Sequence, residues 1–347
     1  MTRSSFLVTG GAGFIGSHLC EALVGDGQAV RVLDDLSTGT RANLPAGVEL
    51  IEGDIADPAA MAEAIAGVDG SFHLAAIASV ARGVEDWLGT HRANLTGTIT
   101  LFDAVRRQPK PVPVVYASSA AVYGDCADLP ITEAASKHPL SAYGADKYAC
   151  ELHAVVASHV HAVPTTGLRF FNVYGPRQDP RSPYSGVISI FCERLRRSAP
   201  IDIFGDGGQT RDFIYVADVV AALRAAMARC PPNAPAASGT AVLPEASTLP
   251  EAPVLPKAPV LSEAHVLPES RVLNVCTGIA TSVSELAYTI AALTGAPAEF
   301  RHAPPRAGEI RHSVGSPDLA RQVLGLGRPI ALPDGLRHVL DWLGASG

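Results

Sequence analysis

The stretch Thr9-Gly10-Gly11-Ala12-Gly13-Phe14-Ile15-Gly16-Ser17-His18 decides the fold. It follows an apolar run at 6–9 and opens a helical pattern at 14–24, so it reads as a strand, a glycine-rich turn and a helix. Glycines at 10, 13 and 16 permit the tight turn, close approach of the backbone to a pyrophosphate, and close packing of the helix on the strand. The helix N-terminus attracts the anion. Asp34 closes the next apolar run, about 20 residues on, where a carboxylate accepts hydrogen bonds from the adenosine ribose. Asp34 and Asp35 side by side repel a 2′-phosphate, and no arginine follows until Arg41, which favours NAD over NADP. Asp54 and Ile55, after the third apolar run, are placed either at the adenine edge or as residues ahead of a helix that starts near Pro58.

Outward from this turn the first half alternates. Apolar runs at 6–9, 29–33, 48–51, 70–74 and 112–117 read as strands, and patterns at 14–24, 58–66 and 88–107 read as helices. Fully apolar strands separated by helices predict a doubly wound parallel sheet of Rossmann type, covered on both faces. A further helix from Ser141 to about residue 159 and a strand at 164–170 follow, and then loop-rich text expected to form a smaller C-terminal lobe. The expected division is residues 1–170 for the sheet domain, with segments of 171–230 and 271–300 returning to it, and parts of 171–347 for the lobe.

Composition excludes several classes. The 347 residues are 47% hydrophobic and 18% charged, with a net charge of −7 and no basic stripe, which speaks against disorder as a whole and against nucleic acid or an anionic membrane as partner. Six cysteines lie scattered with no CxxC pair and no Cys/His cluster, so neither a disulfide framework nor a metal site is expected. The glycine turn comes too soon after Met1 for a signal peptide, and nowhere do 18 apolar residues run together, so a cytoplasmic protein is expected.

Residues 231–270 break the pattern. Five consecutive hexads from Ala241 to Ser270 place Leu at 243, 249, 255, 261 and 267, with proline in four of the five. Proline removes ladder donors, so the hexads predict an extended, polyproline-like insertion and not a β-helix. It is expected to be a dispensable spacer between a helix at 217–229 and a strand at 271–276.

The chemistry is carried by Tyr143-Gly144-Ala145-Asp146-Lys147, a phenol and an ammonium at i and i+4 on one helix face. A neighbouring ammonium favours phenolate, the form that accepts a proton. Ser118-Ser119 ends an apolar strand, where an open parallel sheet presents its crevice, so Ser119 is placed to bond the same substrate hydroxyl. The glycine fingerprint, Asp34, Ser119 and the Tyr143/Lys147 pair together resemble the extended short-chain dehydrogenase/reductase family, and within it the UDP-hexose 4-epimerases of the UDP-galactose and UDP-N-acetylglucosamine type. The resemblance spans nearly the whole chain apart from residues 241–270.

The resemblance implies NAD bound tightly and recycled, held by Gly10, Gly13, Phe14, Ile15, Gly16, Asp34, Asp35, Ser37, Thr38, Gly39, Asp54, Ile55, Leu74, Ala75, Ala76, Asn94, Tyr143 and Lys147. Tyr143 would take the proton of the sugar 4-hydroxyl, Lys147 would hold the nicotinamide ribose and Ser119 would steady the hydroxyl. The segments from Arg169 to Arg177, Ile203 to Asp212 and Arg306 to Ser313 resemble UDP-sugar loops, implying a site at Ser119, Asn172, Val187, Phe204, Arg211, Arg306, Glu309 and Ser313. Two arginines suit a diphosphate, Phe204 offers an aromatic face to uracil, and Glu309 accepts from ribose hydroxyls. Related 4,6-dehydratases carry an acidic pair after the strand-end Ser or Thr, but here stand Ala120 and Ala121, which cannot move a proton; this disfavours dehydration and, likewise, UDP-glucuronate decarboxylation.

Ser313 resembles the gate beside the sugar 2-substituent, where a small residue admits an N-acetyl group. The expectation is therefore UDP-GlcNAc/UDP-GalNAc interconversion, with UDP-Glc/UDP-Gal and UDP-glucuronate 4-epimerisation as alternatives; Arg181 or Arg311 could meet a 6-carboxylate. A simple dehydrogenase and a non-catalytic NAD-binding scaffold are the readings from other classes. The helices at 88–107 and 141–159 imply a homodimer four-helix bundle, though their apolar faces also fit ordinary core.

Overall fold

In the computed structural model residues 3–179, 186–230, 271–297, 299–305 and 310–345 are described. The chain opens with β1 (Ser5–Thr9), α1 (Phe14–Gly25), β2 (Ala29–Asp34), β3 (Glu49–Glu52), α2 (Pro58–Ile65) and β4 (Gly70–His73). Next come α3 (Val80–Glu85), α4 (Trp87–His91), a π-helical turn at Arg92–Thr96, α5 (Gly97–Val105), β5 (Val114–Ser119), a 3₁₀ turn at Ala120–Val122, and α6 (Ala142–His161). Then follow β6 (Thr165–Phe170), β7 (Asn172–Tyr174), α7 (Val187–Arg196), β8 (Ile201–Phe204), β9 (Thr210–Arg211), β10 (Phe213–Tyr215) and α8 (Val216–Ala228). Beyond residue 270 lie β11 (Arg271–Val275), β12 (Thr281–Ser282), α9 (Val283–Thr294), β13 (Phe300–Ala303), β14 (His312–Ser313), α10 (Asp318–Leu324) and α11 (Leu332–Ala345).

Seven strands form one sheet in the order β11-β6-β5-β4-β1-β2-β3. Every pairing in it is parallel, with Val8 opposite both Val32 and Phe72. Such strands must shed water on both faces, and β4 and β6 are buried along their whole length. One face is closed by α1, α8 and α10 through Leu19, Leu23, Val219, Leu223 and Leu324. The other is closed by α2, α5 and α6 through Met61, Ile65, Leu101 and Ala154. The predicted doubly wound α/β sheet is thus what the chain forms. Strand order reverses between β1 and β4, and the crevice outside their carboxyl ends is where such sheets bind ligands.

A second apolar cluster joins α7, α9 and α11 through Phe191, Leu195, Leu286, Ile290, Leu336 and Val339, with Ile201 and Ile203 of β8. Its small sheets are β12-β9-β14, β13-β8 and β10-β7. α9 starts on a capping box, Ser282 accepting from the Glu285 amide while Glu285 accepts from Ser282. The strand at 271–275 and the helix at 216–228 return to the large sheet domain. The hexad insertion lies outside the described residues.

The helix expected at 88–107 needs correction. Asp86 breaks regular helix between α3 and α4 and caps α4 by accepting from the Gly89 amide at 2.9 Å. The helix then runs on to Val105, but through the π-helical turn that carries Asn94.

Candidate active site

Each glycine of the opening turn has its own neighbour. Gly10 takes φ +69°, and a Cβ there would stand 2.7 Å from the Ala75 backbone at the end of β4. A Cβ on Gly16 would run into the Gly10 carbonyl oxygen, so α1 lies directly on the turn. At Gly13 the nearest protein atom to such a Cβ is the Gly10 oxygen at 3.3 Å, and Gly13 caps α1 without a side-chain hydrogen bond. The amides that open α1, from Phe14 and Ile15, therefore sit at an uncrowded helix N-terminus, the geometry that suits a pyrophosphate.

Asp34 ends β2 with a buried carboxylate that accepts from the amides of Ala12 and Leu36, both at 2.9 Å. Burial pushes this carboxyl up from its ordinary value, and the two amides hold it back. A carboxylate offers about four acceptor positions, so capacity for ribose hydroxyls remains. Asp35 turns instead to its own loop, accepting from the Ser37 amide and hydroxyl. Gly39 packs on Ala12, where a Cβ would lie 2.7 Å away, and Thr40 and Asn43 donate to the Ala12 carbonyl. The segment holding Ser37, Thr38 and Gly39 thus walls the glycine turn.

On the other side of the turn, the Leu74 and Ala75 amides donate to the carbonyl and the hydroxyl of Thr9. Ala76 follows in the same loop, and Ile77 exchanges hydrogen bonds with the Asn94 side chain. Asn94 is fully buried, so its side chain holds the loop, an arrangement made by the π-helical turn. Asp54 accepts from Ala56 at 2.8 Å and from Arg92 at 2.6 Å. The acid that caps α2 is Asp57, which accepts from Ala59. Ile55 is buried, and a Cβ on Gly97 would stand 2.5 Å from it, so its side chain belongs to the contact with α5.

The Ser, Tyr and Lys meet at the carboxyl end of β5. Ser119 closes the strand and accepts from the Ala121 amide at 3.1 Å, starting the 3₁₀ turn. α6 begins one residue before Tyr143, with Ser141 as its cap accepting from Gly144. Lys147 is buried, donates to the Ala117 carbonyl at 2.9 Å and stands 6.0 Å from the Tyr143 ring centroid. An ammonium has three protons, so this bond leaves donors for a ribose. Gly144 was missed from sequence. A Cβ there would lie 2.6 Å from the Ala121 carbonyl, so only glycine brings the first turn of α6 down on the turn after Ser119.

In the second half, Ser313 of β14 pairs with Arg211 of β9, joining two predicted substrate residues that stand 102 positions apart in the chain (313 − 211). Asn172 opens β7 at an exposed position, Val187 opens α7, and Phe204 ends β8 half-buried. Asp212, which sequence reasoning passed over, follows Arg211 and holds the loop after β11. It is fully buried and accepts from the Thr277 amide and hydroxyl and from the Gly278 amide at 2.7–2.8 Å. Arg311 forms a two-pronged pair with Asp206 at 2.7 Å. Arg306, Glu309 and Arg181 lie outside the described residues. Arg169, within the first resembling loop, turns inward to Glu151. The cysteines are free, and burial pushes Cys20 and Cys192 up to about 12, which keeps them from acting as nucleophiles.

Residues 6–235 match the family described as NAD dependent epimerase/dehydratase. The chain belongs to that family. The expected family resemblance and NAD as cofactor are borne out, and the glycine turn, Asp34 and the uncapped start of α1 fit that cofactor. Among relatives of this epimerase/dehydratase, a UDP-glucose 4-epimerase of Mycolicibacterium smegmatis is 35% identical over 97% of both chains. The Thermotoga maritima UDP-glucose 4-epimerase, solved with UDP-glucose, superposes with a TM-score of 0.84 at 32% identity over 99% of each chain. A UDP-N-acetylglucosamine 4-epimerase of Methanobrevibacter ruminantium, solved with UDP-N-acetylmuramic acid, superposes equally, at 0.84 and 28% identity over all of both chains. No helix among the described residues is long and apolar enough to cross a membrane.

Proposed function

We propose that the protein is a 4-epimerase of UDP-sugars that interconverts UDP-GlcNAc and UDP-GalNAc through a 4-keto sugar, with UDP-Glc/UDP-Gal as a second activity of the same site. The observation that carries the reading is the group at the end of β5: Ser119, Tyr143 and Lys147 beside a dinucleotide turn, with alanine at 120 and 121. Tyr143 takes the proton from the sugar 4-hydroxyl, and Ser119 holds that oxygen in reach. Lys147, anchored on the Ala117 carbonyl, holds the nicotinamide ribose. Bound NAD supplies the hydride acceptor and donor. After the 4-keto sugar turns over in the pocket, Tyr143 returns its proton and the opposite configuration results. Loss of water would need a further acid and base, which Ala120 and Ala121 do not supply.

Arg211 and Arg306 are assigned to the diphosphate, Phe204 to uracil, Glu309 to the ribose, and Asn172 and Val187 to the pocket wall. Ser313 is assigned as the gate beside the 2-substituent; its pairing with Arg211 supports a place next to the sugar nucleotide. The glucose pair is the second reading because curated relatives carry that activity in their names. UDP-glucuronate has less support, since Arg311 is engaged by Asp206. We assign the protein to the cytoplasm, where unpaired thiols persist. We also assign it as a homodimer, because α3, α4 and α6 leave a large apolar face uncovered.

The test is incubation with UDP-GlcNAc, and separately UDP-Glc, without added cofactor, followed by chromatography or proton NMR. UDP-GalNAc forming faster than UDP-Gal supports the reading. UDP-Gal alone overturns the N-acetyl preference, and no product from either overturns both pairs and leaves UDP-glucuronate as the next substrate to test. Tyr143→Phe is expected to lower turnover by about 10²-fold or more while UDP-sugar binding, followed by calorimetry, is kept.

A further inference from the structure

Tyr143, Lys147 and Glu151 stand at i, i+4 and i+8 on one face of α6. The first two belong to the reaction as read above; the third has no part in it. Yet Glu151 is buried, and its carboxylate is the centre of a hydrogen-bonded group. Ser118 donates to its Oε1 at 2.5 Å, and Arg169, also buried, donates from Nε at 2.8 Å and from Nη2 at 2.7 Å. The third guanidinium nitrogen donates to the Tyr123 hydroxyl at 2.7 Å, and Tyr123 donates to Asn274 at 2.6 Å. Asn274 in turn donates to the Ile131 carbonyl, and the Ile131 amide donates to Val314, next to Ser313.

The geometry at β5 is the telling part. Lys147 bonds the carbonyl of Ala117, Glu151 bonds the hydroxyl of Ser118, and the following residue is Ser119. α6 therefore grips two consecutive residues of the strand that delivers Ser119 to the sugar. A buried ion pair is a poor source of net stability compared with apolar packing, but it is directional. We infer that Glu151, held by Arg169 and Ser118, is a positioning residue that sets the distance between Ser119 and the Tyr143/Lys147 face. The inference rests on the epimerase reading for its consequence and on the contacts alone for its geometry. A displacement of about 1 Å at a reacting group costs up to about 10²-fold in rate.

Two variants test this in the full-length enzyme with resident NAD. Ser118→Ala removes one neutral hydroxyl and leaves the ion pair whole; Glu151→Gln weakens both links and leaves Arg169 buried without a counter-charge. The expected result is kcat lowered about tenfold in Ser118→Ala and about 10²-fold in Glu151→Gln, with KM for the UDP-sugar and bound NAD within about twofold of wild type. A crystal structure of Ser118→Ala is expected to show the first turn of α6 shifted relative to Ser119. Should Glu151→Gln fail to fold, Ser118→Ala decides alone. Wild-type kcat and an unmoved α6 in Ser118→Ala overturn the inference, as does a fall in stability with no split between kcat and KM. An inactive wild type overturns the epimerase reading instead, and the crystal structure still decides the positioning.

Discussion

His73 shows how much one residue can be constrained by its partners. Thr98 donates its hydroxyl proton to the Asn94 carbonyl at 2.6 Å, so it accepts from His73 Nε2 at 3.0 Å. His73 Nδ1 then accepts from Thr9, which itself accepts from the Ala75 amide. Burial, with a smaller contribution from Lys147, lowers its pKa from 6.5 to about 3, which keeps the ring neutral. The unfolded chain binds a proton below about 6.5 that the folded chain refuses, so the stability from this group is present above that pH and is lost as pH falls toward about 3. The expected loss is about 1.4 kcal/mol per pH unit within that window, read from urea unfolding at a series of pH values. His73→Asn should flatten the slope by that amount; an unchanged slope would place the proton elsewhere. Ser313 offers the second residue-scale prediction. A tyrosine in its place, overpacking the gate by about 1–3 kcal/mol, should cut turnover of the N-acetylated pair at least about tenfold more than that of the glucose pair. Equal losses would remove Ser313 from the gate.

Among the elements, α6 carries the most chemistry per turn. Its phenol and ammonium were legible in sequence because an i, i+4 spacing puts two side chains on one helix face wherever the helix lies. Gly144 and Glu151 were not legible, since what they touch, the Ala121 carbonyl and Ser118, belongs to β5 and the turn that follows it. Gly144→Ala is expected to push α6 off the turn after Ser119, costing about 1–3 kcal/mol and lowering kcat at least about tenfold. Urea unfolding and turnover on one preparation check both. The π-helical turn was hidden for a similar reason. Its apolar spacing reads as ordinary helix, while the turn itself meets the loop at Ile77 through Asn94.

Across the whole molecule, the apolar faces of α3, α4 and α6 are the feature that isolated helices leave undecided. Val84 and Leu88 are each 83% exposed, Trp87 68% and, further along α6, Val160 63%, apolar side chains that the described residues leave in water. The helices are therefore not ordinary core on that side. Sedimentation is expected to give twice the chain mass, and Leu88→Lys with Val156→Lys is expected to give the single chain. A wild-type monomer would sink the dimer.

The chain's own order of residues determined the parallel sheet, the glycine turn with its carboxylate, and the phenol–ammonium pair. Each is written in neighbours: apolar strands between amphipathic helices, glycines at fixed offsets, two side chains one helical turn apart. Tertiary structure alone decided that Asp57 and not Asp54 caps α2, that Arg169 turns into the interior, and that Ser313 lies beside Arg211. Those outcomes depend on which distant segments the sheet and its lobe bring together. Residue identity specifies what a side chain can bond, and only packing specifies which partner comes within 3 Å of it.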